Sequence, residues 1–146
     1  MRVLHITPFF SSSYSGGPVE VVIQLCQELK NQGIEVTIAT TELEKMQVIP
    51  NSVPTYYFAR QFSSFLPSEF AFSWGLKNWL SQQIKEFDLL HIHYLFTYPS
   101  TIACFYANKY KIPYIVRPAG MLSNICLKQS AFKKKLYTKI CEKRNL

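Results

Sequence analysis

The sequence predicts an α/β domain with an open, mostly parallel sheet and helices on both of its faces. Short apolar segments rich in β-branched residues alternate along the chain with longer segments whose apolar residues recur at helical spacing. No repeat, linker or low-complexity segment interrupts this alternation. The chain has 146 residues, of which 48% are hydrophobic, so we interpret residues 1–146 as one domain that is large enough to bury a core.

The first strand, loop and helix form the clearest unit of the pattern. We expect a strand over residues 2–7 and a helix over residues 18–32, which begins at Pro18 and is followed directly by Gly33. The apolar stripe of this helix comprises Val22, Leu25, Cys26 and Leu29. A second strand then covers residues 35–40. Two strands joined through a helix pair in parallel, with a right-handed crossover.

The rest of the chain continues the alternation. The expected loops are a polar one at 42–52 and an aromatic one at 60–68, and the expected strands are 54–59, 88–94 and 113–117. The expected helices are 69–87, a helix that opens at Pro99, and a basic helix at 127–144. The long helix carries Leu76, Leu80, Ile84 and Phe87 on one face, and the next carries Ile102, Phe105, Tyr106 and Tyr110.

Composition excludes several classes of protein. No apolar run is long enough for a membrane span, and the N-terminus lacks a signal-peptide pattern, so we expect a cytoplasmic protein. The four cysteines have no Cys-x-x-Cys spacing. We therefore expect buried reduced thiols and no zinc site.

Positive charge is concentrated in the second half of the chain. The net charge is +7, and residues 74–146 alone carry +9 against −2 for residues 1–73. Much of the excess lies from Lys128 to Arg144. A helix docked on the sheet with solvated lysines explains this pattern, and peripheral contact with an anionic membrane surface is the alternative. Nucleic-acid binding is not expected, because no recognised nucleic-acid motif accompanies the lysines.

Polar and glycine residues follow three of the expected strands. In an open parallel sheet, ligands bind beyond the carboxyl ends of the strands, so these loops should converge. The candidate binding residues are Ser15, Gly16 and Gly17 after the first strand, His93 and Tyr94 after the fourth, and Arg117 and Gly120 after the fifth. Hydroxyls, an imidazole, a guanidinium and exposed amides suit hydroxylated and phosphorylated ligands. Neither a dinucleotide fingerprint nor a P-loop is present.

Each candidate also has a plainer structural interpretation. His91 and His93 share one face of a strand, but the sequence offers no third ligand nearby, so we predict no metal site; His91 packs beneath the sheet's cover and His93 faces the cleft. Arg117 is equally consistent with an ordinary salt bridge. Glu20 fits a charge stabilised at a helix N-terminus, and Asp88 begins its strand at the wrong edge for catalysis. No complete catalytic set is apparent.

Taken together, these segments resemble the N-terminal half of a family-4, GT-B type glycosyltransferase, over nearly the whole chain. The carriers are Val3-Leu-His-Ile-Thr-Pro-Phe, Gly16-Gly-Pro, Val21 to Leu29 with Asn31-Gln-Gly, Glu35-Val-Thr-Ile-Ala-Thr, Asp88-Leu-Leu-His-Ile-His, and Ile112 to Leu122. The closing Leu127-Lys-Gln and Glu142-Lys-Arg-Asn-Leu also fit. The resemblance implies two Rossmann-like domains facing a cleft, of which the N-terminal one mainly holds the acceptor.

The resemblance also implies a reaction and roles for residues. The C-terminal domain would hold a nucleotide-sugar donor through a glutamate pair, and transfer would usually retain the anomeric configuration. Gly16 and Gly17 would lie near the donor phosphates or the transferred sugar, and His93 would line the acceptor side. The partners are then a nucleotide sugar, as substrate, and a glycan or lipid-linked acceptor, with no metal or other cofactor.

Two departures from the family pattern bear on activity. The family often has histidine or arginine immediately before the glycine of the last loop, where this chain has Ala119, so that contact is missing or comes from Arg117. The chain stops at Leu146, where the family continues into a further strand and the donor domain. We therefore expect an incomplete sheet and no activity from this chain alone. The alternatives are one half of a split transferase that works with a separate donor-domain chain, or a non-functional truncation product.

Overall fold

A computed structural model describes residues 1–10, 17–42, 52–123 and 126. Its strands are β1 (Arg2–Thr7), β2 (Glu35–Glu42), β3 (Thr55–Ala59), β4 (Leu89–His93) and β5 (Tyr114–Arg117). Its helices are α1 (Gly17–Asn31), α2 (Trp74–Gln83) and α3 (Tyr98–Tyr110). The five strands form one parallel sheet in the order β3-β2-β1-β4-β5, which confirms the predicted open α/β fold.

The two faces of the sheet are covered by different helices. Alternate residues of each strand point to opposite faces, so Leu4 and Ile6 of β1 pack with the buried residues of α2 and α3. On the other face, Ile38 and Val36 of β2 pack against α1, which contributes Val19, Val22 and Cys26. The helical spacing of the α1 residues predicted this burial, because one stripe of the helix faces the sheet.

The strand order reverses at β1. The chain places β2 and β3 on one side of β1, then returns to place β4 and β5 on its other side. Every strand is parallel, so all five carboxyl ends lie at one edge, and the loops leaving β1 and β4 diverge to opposite faces there. This switch point is where an open α/β sheet provides a crevice for ligands.

One predicted helix is wrong in extent. The single helix expected over residues 69–87 is instead a 3-10 turn at Ser68–Phe70, a break at Ala71 with φ 55°, and then α2. The Ser73 hydroxyl accepts a hydrogen bond from the Leu76 N–H and caps α2 at its N-terminus, which explains why the helix begins there. A further 3-10 turn, Ile84–Glu86, follows α2. The expected apolar face, Leu76, Leu80, Ile84 and Phe87, is buried.

The remaining expectations differ only in detail. β2 continues to Glu42 because Thr40 and Thr41 are buried and pair with β3. Cys26 and Cys104 are buried thiols, as expected, whereas Cys126 is only partly buried. Burial raises the pKa of the Cys26 thiol to about 12. The basic helix expected at 127–144 lies outside the described residues. Within the described parts of the chain, no helix is both long and apolar enough to cross a bilayer.

Candidate functional site

The candidate site lies at the carboxyl edge of the sheet, beside the switch point between β1 and β4. β1 ends at Thr7, whose hydroxyl donates a hydrogen bond of 3.0 Å to the carbonyl of Phe9 as the chain leaves the sheet. The rings of Phe9 and Tyr94 meet edge to face, with centroids 6.0 Å apart. α1 begins at Gly17, so its first backbone amides, which have no partner within the helix, belong to this edge.

The loop that leaves β4 is sharply bent and tied to the loop after β5. The N–H of Tyr94 donates to the Arg117 carbonyl at 2.9 Å, and the N–H of Leu95 donates to the Met121 sulfur at 3.2 Å. Tyr94 and Phe96 have φ of 71° and 57°, a left-handed conformation that is uncommon for bulky residues. Backbone of this kind concentrates at functional sites, where the surrounding structure holds it in place.

The loop after β5 contains the expected turn. Ala119 and Gly120 both have positive φ, at 51° and 83°. The N–H of Met121 donates to the Pro118 carbonyl at 3.0 Å, and the N–H of Ser123 donates to the Gly120 carbonyl at 3.0 Å. These bonds close two successive tight turns, so the backbone beyond β5 is folded back at the edge of the cleft.

Three histidines from two strands meet on the α1 face of the sheet. His5 of β1 is the register partner of His91 in β4, and His93 follows two residues later on the same face. His5 Nδ1 and His93 Nε2 are 3.1 Å apart and share a hydrogen bond. The ring centroids are separated by 4.3 Å for His91 and His93, 4.9 Å for His5 and His91, and 5.3 Å for His5 and His93.

Burial keeps this histidine cluster uncharged. His5 and His93 have no exposed surface, and desolvation lowers the pKa of His5 to about 3 and that of His93 to about 2. Burial also lowers the pKa of His91, and the positive charge of Arg117 lowers it further. The three imidazoles are therefore neutral at neutral pH, and the hydrogen bond between His5 and His93 joins one donor nitrogen to one acceptor nitrogen.

Among the residues that the structure describes, three buried nitrogen atoms in this region have no hydrogen-bond partner. They are His5 Nε2, His93 Nδ1 and Arg117 Nη1. Arg117 and His93 are register partners on neighbouring strands, so their side chains leave the same face of the sheet. Among the described residues, the ion pairs are those of Arg2, and no carboxylate pairs with Arg117. The β4–β5 side of the edge thus holds a cation and a buried imidazole with unused hydrogen-bonding capacity.

A second arginine at this edge, which the sequence did not single out, is fully engaged. Arg60 follows β3 and donates to the carbonyl of Pro8 at 2.6 Å, to the hydroxyl of Thr41 at 2.8 Å and to the carbonyl of Ser68 at 3.0 Å. Its guanidinium also lies over the Phe9 ring, 4.7 Å from the centroid. Arg60 therefore binds the loop after β1 to the ends of β2 and β3.

Comparison with known proteins decides the family. A family model described as a glycosyl transferase 4-like domain matches residues 16–146, which is most of the chain and includes the loops after β4 and β5. The chain belongs to the glycosyl transferase 4-like family. This confirms the resemblance that the sequence carried. A search of curated proteins finds no match to the chain.

In this glycosyl transferase 4-like domain, three of the predicted site residues come together. His93 and Arg117 are register partners on β4 and β5. The N–H of Tyr94, the residue after His93, donates a hydrogen bond to the Arg117 carbonyl. The sequence placed His93 facing the cleft, and the structure buries its side chain completely, beneath the edge. Burial raises the pKa of the Tyr94 hydroxyl, against an opposing effect of Arg117, so this phenol stays protonated at neutral pH.

The other predicted site residues occupy the loops. Gly17 is exposed at the start of α1, and a Cβ atom built there would meet nothing within 4 Å. Gly120 is exposed in the turn after β5. Ser15 and Gly16 lie outside the described residues, so the convergence expected of them stays a prediction.

The histidine cluster is the group that could hold a metal ion in the described part of the domain. The ligand atoms of His5, His91 and His93 lie within 4.8 Å of one another, so the structure supplies the third histidine that the sequence did not place beside the other two. Two features oppose a divalent cation. His5 and His93 already bond to each other, and the charge of Arg117 acts on His91 and His93. The absence of a metal cofactor remains a prediction.

Proposed function

We propose that this domain is the acceptor-side wall of a glycosyltransferase that moves a sugar from a nucleotide-sugar donor to a glycan, lipid-linked or small-molecule acceptor. The observation that carries the proposal is the family match over residues 16–146, which includes the start of α1 and the loops after β4 and β5 at the carboxyl edge of a parallel sheet. The sugar's bond to the donor diphosphate breaks, a bond to the acceptor oxygen forms, and the acceptor hydroxyl loses its proton. Negative charge develops on the leaving diphosphate, so a site must supply donors to it.

We assign the donor phosphates to the loop that contains Gly16 and Gly17. The N-terminus of α1 supports this assignment, because unpaired backbone amides and the helix dipole favour an anion there. The open space beside the Cα of Gly17 would let a phosphate approach the backbone closely. The acceptor would lie toward the β4–β5 side, near His93, Tyr94 and Arg117.

We further propose that this wall does not act alone. A nucleotide sugar needs a second wall to hold the nucleotide and to exclude water, whether in the same polypeptide or in a separate donor-domain chain. The purified chain should show no turnover with UDP-, GDP- or dTDP-sugars and a mixture of acceptors. Turnover well above background would contradict this proposal.

A glycine substitution tests the donor assignment independently of turnover. We expect Gly17→Ala to leave the thermal unfolding midpoint unchanged or slightly raised, because alanine favours helix and meets open space. Binding of a nucleoside diphosphate, followed by NMR titration, should weaken by about tenfold because the new methyl group fills the approach to the backbone. Val21→Ala, at an exposed position of the same helix, is the matched control and should bind normally. Equal binding by both variants would overturn the assignment.

The cellular setting is proposed from charge. The positive charge from Lys128 to Arg144 supports a cytoplasmic domain that contacts the membrane surface peripherally, where lipid-linked acceptors would be presented. The chain should co-sediment with vesicles that contain anionic lipid at low salt and should be released by high salt. Failure to co-sediment under the low-salt condition would exclude this contact.

A further inference from the structure

Arg117 differs from Arg60, because the part of the chain that the structure describes offers its side chain no hydrogen-bond or ion-pair partner. Its Nη1 is buried without a hydrogen-bond partner, and within the described ranges no carboxylate lies within ion-pair distance of it. A partly buried cation without a counter-charge loses hydration and gains nothing in return. A ligand that supplies the missing negative charge would compensate for this lost hydration.

We infer that Arg117 and His93 form a subsite for an oxyanion, and that the acceptor carries the carboxylate or phosphate group that fills it. The inference rests on the proposed function, because it assigns the oxyanion to the acceptor. The two residues are register partners on adjacent parallel strands, which lie about 4.8 Å apart. Both side chains leave the same face, so one small anionic group can contact both.

Within the described ranges, the surroundings of this subsite contain no carboxylate that forms an ion pair with Arg117. The imidazoles nearest Arg117 are those of His91 and His93, which are neutral and feel its charge. The backbone N–H of Tyr94 donates to the Arg117 carbonyl at 2.9 Å, so the rung that carries the subsite is fixed. An arginine fork in such a setting matches the geometry of a carboxylate or phosphate.

The histidine pair can provide the second hydrogen-bond donor. His5 Nδ1 and His93 Nε2 share one hydrogen bond at 3.1 Å. When His5 Nδ1–H donates to His93 Nε2, the single N–H of the neutral His93 ring is on Nδ1, the atom that has no partner among the described residues. An oxyanion at the subsite would accept from both this N–H and Arg117. Binding of an oxyanion should therefore favour the Nδ1–H tautomer of His93. A ligand with only hydroxyl groups should favour this tautomer less.

The experiment is an NMR titration of the full chain, labelled with nitrogen-15, with glucuronate, glucose phosphate, glucose and UDP. We expect the two anionic sugars to bind about tenfold more tightly than glucose, which is the factor that one charged hydrogen bond supplies. Arg117→Gln should remove this preference. Lys111→Gln removes the same charge from an exposed residue beyond the other end of α3 and should keep the preference. The nitrogen-15 shifts of His93 should report the Nδ1–H tautomer on binding.

The outcomes separate this inference from the function on which it rests. Equal binding of glucuronate and glucose, with no effect of Arg117→Gln, would overturn the oxyanion subsite and leave acceptor binding standing. Dependence on Arg117 that appears for UDP and not for the sugars would assign the residue to the donor, and so would also overturn the inference. If none of the four ligands caused NMR shifts that depend on Arg117, the inference would also be overturned. Arg117→Lys keeps the charge and loses the planar guanidinium, so it should give an intermediate preference for the anionic sugars if the subsite exists. It also provides a second variant in case Arg117→Gln does not fold.

Discussion

The two outer strands of the sheet each present an arginine at the carboxyl edge, and the two arginines are used differently. Arg60 follows β3 and makes hydrogen bonds to Pro8, Thr41 and Ser68. Arg117 ends β5, and its buried Nη1 has no hydrogen-bond partner among the described residues. The fold engages the guanidinium of Arg60, whereas we propose that a ligand engages that of Arg117. The surrounding carbonyls and hydroxyls, and not the residue type, decide which arginine belongs to a binding site.

The largest expected effect is a loss of folding stability in acid, and it comes from the histidine cluster beside Arg117. His5 and His93 have folded-state pKa values of about 3 and about 2, and the pKa of His91 is also lowered, against about 6.5 in an unfolded chain. Below about pH 6.5 these histidines bind protons in the unfolded state and stay neutral in the folded state, so acid favours unfolding. Stability is complete above that pH and falls as pH drops, by roughly 1.4 kcal/mol per pH unit for each of His5 and His93. His91 acts in the same direction.

Urea unfolding between about pH 7.5 and 5 would measure this loss in a window where carboxyl groups, with pKa values near 4, contribute little. The variant His5→Gln should lower the slope by about one histidine's share. A free energy of unfolding that stays constant over this window would show that the histidines are not held neutral by burial. Arg117→Gln should flatten the slope slightly, since the charge of Arg117 helps to lower the pKa values of His91 and His93.

The next effect tests the structural arginine. We expect Arg60→Met to lower the free energy of unfolding by about 3 kcal/mol, because it removes charged hydrogen bonds to Pro8, Thr41 and Ser68 together. Arg60→Lys, which keeps the charge and at most part of the bonding, should lose less. The measurement is urea unfolding at neutral pH. A loss below about 0.5 kcal/mol for Arg60→Met would remove the contrast between the two arginines, since exposed substitutions have effects of that size.

A smaller effect comes from the helix that follows the β4 loop. Thr97 caps α3: its hydroxyl accepts from the Ser100 N–H at 3.3 Å, and the Ser100 hydroxyl accepts from the Thr97 N–H at 3.3 Å. We expect Thr97→Ala to cost about 1 kcal/mol of unfolding free energy and Thr97→Ser to recover most of it. Equal stability of the two variants would mean that the cap does not help to hold this loop.

Local patterns in the sequence predicted most of the fold. The helical spacing of Val22 and Cys26 is visible within one helix, and the structure buries both residues. The period-two spacing of His91 and His93 is visible within one strand, and their rings stack on one face. The prediction of one helix over 69–87 was wrong because it extended the amphipathic pattern across Ser73, a residue type that favours helix N-caps. Serine immediately before the first helical turn was the signal that could have placed this start.

The site was less predictable because its contacts join distant parts of the chain. His91 and His93 share a face by simple alternation, but His5 lies 88 positions before its partner His93. Only the strand order, which puts β1 beside β4, brings them together. The contacts of Arg60 have the same origin, since Pro8 lies 52 positions away. A strand histidine in β1, combined with the expected switch-point topology, was the available signal for the cluster.

The smallest expected effect on stability is that of replacing Arg117, and it tests the comparison with Arg60 most directly. We expect Arg117→Gln to leave the free energy of unfolding within about 0.5 kcal/mol of the original chain, because no hydrogen bond of its guanidinium's buried Nη1 is lost and a poorly compensated charge is removed. The measurement is the same urea titration used for Arg60→Met, at neutral pH and in the absence of ligand. A loss as large as that of Arg60→Met would make Arg117 a structural residue. Stability that stays unchanged while oxyanion binding disappears would support a ligand-binding role for Arg117, because the fold would then not depend on its guanidinium.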